Sequence, residues 1–150
     1  MPSVTSAPGR SRSDGRHNAR GCHTDVVSFL FKSHPLASAY QSILCRPAAV
    51  SLITLAEIEY GMEVKNWGAD RRDLMRRFLS RFTPLLPDAE TARLWARIKS
   101  AREKKGRLIT FADTWIAAAA VQLNVPLATN NSRDYAGIEN LIILTAPPAV

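Results

Sequence analysis

Apolar residues along this chain fall into two arrangements. Short continuous apolar runs at residues 48–53, 83–86, 126–129 and 141–144 predict buried strands. Longer stretches between them repeat apolar residues three and four apart and predict helices. Leu74, Phe78 and Phe82 keep that spacing in RRDLMRRFLSRF, as do Leu94, Ile98 and Ala101 in AETARLWARIKSAREKK. Polar residues mark the helix starts: Thr24 or Asp25 before VVSFLFK, Thr54 before LAEIEYGMEVKN, then Asp70, Asp88 and Thr110. Pro35 opens a helix over 36–44, and Arg46-Pro47 breaks it. Gly68 and Gly106 close two others. Strand and helix in alternation predict an α/β fold of three layers, a central, mostly parallel sheet flanked by helices. Residues 23–145 are expected to form the domain, with 146–150 a loose tail.

Residues 1–22 break the pattern. MPSVTSAPGRSRSDGRHNARGC holds four Arg, one acid and almost no large apolar residue, a composition expected to be disordered. It lacks the apolar core of a secretory signal. A transit peptide, a nucleic-acid-binding arm and a non-native start produced by an upstream frameshift all match this composition.

Charge narrows the partners. There are 20 Lys+Arg against 13 Asp+Glu, a net charge of +7 and a pI near 10.0, which favours a polyanion. Arg-rich segments at 71–81 and 93–107 offer contacts for RNA, although a solvated helix face accounts for most of them. Trp67, Trp95 and Trp115 could stack on bases, but core or dimer packing accounts for them more simply. No apolar stretch is long enough to span a bilayer, and a cytoplasmic protein is expected. Cys22 and Cys45 are too few for a disulfide framework, and with His23 they lack the spacing of a zinc site.

The acids are few, and several stand where apolar runs give way to helices. Asp25 opens DVVSFLF, Glu57 follows AAVSLITLA, Asp113 opens DTWIAAAAV, and Asn130, Asn131 and Asp134 follow VPLAT. On neighbouring parallel strands these oxygens would meet in the crevice beyond the strands' carboxyl ends, where open α/β sheets bind ligands. Such oxygen clusters bind hard divalent cations. Thr54-Leu-Ala-Glu57 and Thr110-Phe-Ala-Asp113 both match the capping box, so each acid could equally serve its own helix start. Ile116, Ala117, Ala118 and Ala120 allow close packing on a sheet, which would partly bury Asp113. A buried carboxylate requires pairing, protonation or a metal.

VSLITLAEIEYG, DTWIAAAAVQLNVPLATNNSRDY and NLIIL, in that order, resemble the PIN-domain ribonucleases, most closely the VapC toxins of bacterial toxin–antitoxin pairs. The resemblance covers residues 24–144. It implies a PIN-like fold and an endoribonuclease using Mg²⁺ or Mn²⁺. Glu57, Asp113 and Asp134 are its expected catalytic acids, with Glu57, Asp113 and Asn131 as metal ligands and with Asp25 or His23 standing in for the family's first acid. Arg133 would touch an RNA phosphate. It also implies an RNA substrate, a cognate antitoxin and a homodimer. One position departs from the pattern: His23 stands where the family has its first Asp, and HNARGC precedes it in place of an apolar central strand. Imidazole is a poor ligand for Mg²⁺. The implied activity is therefore that of a metal-dependent toxin endoribonuclease impaired at its first ligand. The alternative is a non-catalytic PIN remnant that binds RNA or an antitoxin.

Overall fold

The computed structural model describes residues 20–44 and 48–147. Its elements run β1 (Arg20–Cys22), α1 (Thr24–Phe31), α2 (Ala37–Ile43), β2 (Ala48–Ser51), α3 (Leu52–Val64), α4 (Ala69–Leu79), β3 (Thr83–Leu85), α5 (Ala89–Lys104), α6 (Phe111–Leu123), β4 (Leu127–Ala128), α7 (Ser132–Tyr135) and β5 (Ile143–Leu144). Five strands form one sheet in the order β3-β2-β1-β4-β5, and every pairing is parallel. The expected α/β architecture is borne out.

The sheet switches direction at β1. Strands β2 and β3 extend to one side of it, β4 and β5 to the other. Leu127 and Ala128 are consecutive in β4 and so face opposite sides of the sheet. Leu127 joins a core built from Ile98 of α5, Ile116, Ala117, Ala118 and Ala120 of α6, Val125 and Tyr135. Ala128 joins Val26 of α1, Tyr40 of α2 and Ala146. A third cluster packs Cys22 and Val50 against Val27, Ile58, Met62, Met75 and Leu79.

Strand β1 lies inside the segment expected to be disordered or non-native, three residues ahead of the expected domain start. The strand is short enough to need little from its side chains. Gly21 and Cys22 are small and buried, while Arg20 reaches out to donate to the Ile43 carbonyl. Ladder bonds on both edges do the rest, including Gly21 N–H to Pro126 O at 2.8 Å and His23 N–H to Ala128 O at 3.0 Å. Residues 1–19 and 148–150 lie outside the described residues, as does Cys45. Ala146, placed by the sequence in a loose tail, is 8% exposed and packs in the core.

Helix starts differ in places from the sequence reading. Asp88 and Thr110 cap α5 and α6 as expected. Helix α1 is capped by His23, α3 by Ser51 and α4 by Gly68. The turn after α3 is made by Asn66, whose φ of 49° is left-handed, so Gly68 is free to start the next helix.

Candidate active site

The loops leaving β1 and β4 meet at the switch point. Asp25, in the first turn of α1, fastens them together. Its Oδ2 accepts from the Asn130 N–H at 2.9 Å and from the Thr129 hydroxyl at 3.3 Å, and its Oδ1 accepts from the Val26 N–H at 2.6 Å. Both oxygens are thus held by the fold.

Asp113 projects into the same crevice from the third position of α6. Thr110 accepts from the Asp113 N–H at 3.0 Å and returns its hydroxyl proton to Oδ2 at 2.7 Å. The capping role and the site role are divided between the two oxygens. Oδ1 is left for the Tyr135 hydroxyl, which donates at 2.9 Å, and for His23 Nε2 at 3.1 Å. His23 Nδ1 lies 3.0 Å from Asp25 Oδ1. The imidazole therefore bridges two carboxylates through both ring nitrogens, with its side chain only 13% exposed.

The electrostatics follow from this bridge. Burial alone would lower the His23 pKa, but the hydrogen bonds and charges of Asp113 and Asp25 outweigh it and push it up to about 9. The ring is accordingly an imidazolium near neutrality, donating from both nitrogens. The Asp25 N–H, 3.4 Å from Nδ1, then has no lone pair to meet. Asp113 is held down to about 2, first by the His23 hydrogen bond, against burial, and then by Thr110 and Tyr135. Burial and then the charges of Asp113, Asp25 and Glu57 push the Tyr135 phenol far up, so all three carboxylates act on one ring.

Glu57 sits one turn deeper in its helix than its sequence pattern predicts. Ser51 caps α3 by accepting from Ile53 N–H at 3.0 Å, so Thr54 is fully buried inside the first turn and its hydroxyl has no partner among the described residues. The Glu57 carboxylate instead accepts from the Thr24 hydroxyl, the residue next to His23. It opens on a cavity of about 180 Å³ that Thr24, Lys32 and Lys65 also line.

Asn131 and Asp134 stand apart. Asn131 caps α7 and its side-chain amide donates to the Asp134 carboxylate. Among the described residues no hydrogen bond joins either side chain to His23, Asp25, Glu57 or Asp113. Arg133 is exposed on the same short helix. The structure thus gathers His23, Asp25 and Asp113, with Glu57 one residue away through Thr24. Sequence reasoning missed Tyr135, Thr24 and Thr129 as partners. Tyr135 had a signal, since it closes the DTWIAAAAVQLNVPLATNNSRDY segment that carries the resemblance.

The donors as they stand do not fit a hard divalent cation. Among the described residues no three His, Cys, Asp or Glu side chains are grouped to hold a metal ion. His23, itself a cation, occupies the space between Asp25 and Asp113. The basic helices are also less available than their sequence suggests. Arg76 pairs with Glu59 through bonds of 2.9 and 2.8 Å, Arg72 pairs with Glu63, and Arg93 with Glu90. Trp67 carries Arg71 over its ring, and Trp95 and Trp115 pack together with Phe111. Among the described residues no helix is long and apolar enough to cross a membrane.

The PIN domain family matches residues 24–139. The chain is 32% identical over 124 residues to Ribonuclease VapC2 of Rickettsia felis, covering 80% of this chain and 92% of that protein. It is 33% identical over 118 residues to Ribonuclease VapC2 of Haemophilus influenzae, covering 75% and 86%. Among solved structures, VapBC2 from Rickettsia felis bound to a DNA fragment from its promoter superposes with a TM-score of 0.77 at 26% identity, over 86% of this chain and 99% of that one.

Proposed function

This chain belongs to the PIN-domain family, and from that premise we propose that it is a VapC-type toxin, an endoribonuclease silenced by a cognate antitoxin. The observation that carries this reading is the meeting of Asp113 and Glu57, from α6 and α3, with the loops after β1 and β4 at the switch point of the sheet. The relatives' names supply the reaction class, hydrolysis of an RNA phosphodiester, and the solved VapBC assemblies supply the antitoxin. The net charge of +7 suits an RNA substrate in the cytoplasm, and Lys32 and Lys65 flank the cavity through which a phosphate would approach Glu57. Arg133 on α7 is a second phosphate contact. A homodimer is part of the same proposal.

Within this reading the carboxylates differ in role. Asp113, held at about 2, is a weak proton acceptor. Glu57, bonded to Thr24 and opening on the cavity, is the carboxylate we assign to the attacking water. Asp134 and Asn131, bonded to each other on α7, take no direct part in this division of roles. Mg²⁺ or Mn²⁺ would need His23 to leave its place between Asp25 and Asp113, so no step is assigned to a metal.

His23 favours a second reading, a PIN remnant that binds RNA or antitoxin without cleaving. Its bridge ties up the carboxylate pair and substitutes an internal cation for an external one. RNA cleavage by the unmodified chain, by Asp113→Asn and by His23→Asp, each with Mg²⁺ and with Mn²⁺, separates the two. Cleavage by the unmodified chain that Asp113→Asn abolishes supports the enzyme. Cleavage gained only in His23→Asp identifies a nuclease disabled at one residue. Absence of cleavage in all folded variants, with antitoxin or RNA binding retained, establishes the remnant.

A further inference from the structure

Arg102 looks, in sequence, like one more cation on a basic helix. In the fold it is 5% exposed and reaches into the protein. Its Nη2 donates to the Asp134 carbonyl at 2.9 Å and to the Leu108 carbonyl at 3.4 Å, and its Nη1 donates to the Ala136 carbonyl. Two neighbours on α5 do related work. Lys99 Nζ donates to Ile109 O at 2.7 Å, and Trp95 Nε1 donates to Phe111 O at 3.3 Å. Residues 95, 99 and 102 share one helix face at spacings of four and three.

The acceptors are informative. Leu108 and Ile109 precede α6, so their carbonyls have no place in its ladder. Asp134 and Ala136 end the single turn of α7, where carbonyls are orphaned and a cation is favoured. The first group leads into the turn that carries Asp113; the second flanks Tyr135. Tyr135 and Asp113 are then joined by their own 2.9 Å hydrogen bond. One guanidinium thus closes a ring of contacts that runs from Leu108 to Asp113, across to Tyr135, and back through Asp134 and Ala136. A guanidinium holds its donors in a rigid planar fork that spreads them over separate carbonyls, whereas an ammonium's three donors radiate from one rotatable nitrogen. The buried Nε of Arg102 has no partner among the described residues, and the side chain bonds through its two Nη groups.

We propose that Arg102, supported by Lys99, is a positioning residue that sets the α6 entry and α7 in register and so aims Asp113 Oδ1 at His23 and Tyr135. The inference rests on reading Asp113 as a site carboxylate, but its test needs no RNA. The full chain would be compared with Arg102→Met, Arg102→Lys and Lys99→Met by amide hydrogen exchange and by the ring-nitrogen NMR shifts of His23 at fixed pH. In Arg102→Met, exchange at Ala136 and Ile138 is expected to rise about tenfold over that of α3, as for a local opening. The His23 Nε2 resonance should move with it, Arg102→Lys should restore part of both effects, and Lys99→Met should give a smaller shift of the same sign. If Arg102→Met does not fold, the Lys99→Met and Arg102→Lys shifts decide alone. A uniform rise in exchange, or an unmoved His23 resonance in the folded variants, overturns the proposal. Should the resonance move while neither the unmodified chain nor His23→Asp cleaves RNA, positioning stands and the ribonuclease reading falls.

Discussion

Thr54-Leu-Ala-Glu57 and Thr110-Phe-Ala-Asp113 share a pattern and fold differently. In the second, Thr110 caps α6 and Asp113 lies in the first turn, so helix start and site share one carboxylate. In the first, Ser51 takes the cap, Thr54 is buried with an unpartnered hydroxyl, and Glu57 is carried a turn further on. The residue that ends the preceding strand decides which outcome occurs. At β2 that residue is Ser51, a good cap. At α6 no strand comes just before, and Thr110 is the first residue able to do it.

The sharpest way to break this comparison is to neutralise each acid in turn. Asp113→Asn strips one carboxylate from a largely buried imidazolium and should cost about 2–3 kcal/mol in chemical denaturation near neutrality. Glu57→Gln keeps a group able to accept from Thr24 and should cost under ~1 kcal/mol. Equal losses would refute the division of roles. Next come the threonines. Thr110→Ala should lose about 1–2 kcal/mol as a cap is removed. Thr54→Val should gain up to ~1 kcal/mol by deleting an unsatisfied buried hydroxyl, and a loss there would mean Thr54 has a partner in solution.

The pH dependence sharpens the same contrast. The His23 pKa is raised to about 9 from 6.5, so its contribution is complete below about 6.5 and disappears as pH rises through 9. The Asp113 pKa is lowered to about 2 from 3.8, so its contribution is complete above about 3.8 and fades as pH falls towards 2. The Tm of the metal-free chain should therefore plateau between about pH 4 and 6.5 and decline on the alkaline side. His23→Gln should flatten that alkaline decline, and an unchanged slope would remove His23 as its source. The smallest effect concerns metal. Mn²⁺ should leave the Tm of the unmodified chain nearly unchanged and raise that of His23→Asp, where a carboxylate replaces the internal cation.

Much of the fold was legible because helices of two or more turns and their caps leave periodic marks. Asp88 and Thr110 follow directly from the residues, and Leu94 and Ile98 of α5 do face the core. Ala101 is exposed, however, and α4 buries Met75 and Leu79 rather than Leu74, which is 52% exposed, while Phe82 lies past the helix end. The convergence of Asp25 and Asp113 was legible too, as acids at the ends of apolar runs. Other features leave no such mark. Strand β1 depends on main-chain bonds to neighbours far away in sequence, and α7 is too short for a period. Arg102 carries the same local signature as the exposed Arg97, and only the carbonyls of Leu108, Asp134 and Ala136 distinguish them. Asp25 illustrates a further gap: the sequence offered it as a metal ligand, whereas its oxygens are engaged by Val26, Thr129 and Asn130.

The brevity of β1 has an evolutionary side. With three residues, two of them small, the middle of the sheet places almost no demand on side-chain chemistry. What the slot requires is small side chains and main-chain N–H groups free to pair on both edges. Very different peptides could fill the same slot and leave the surrounding architecture standing. The ancestry of the sheet's centre and the ancestry of its catalytic rim are therefore free to diverge, and a change at residue 23 can silence the chemistry of a domain that still assembles.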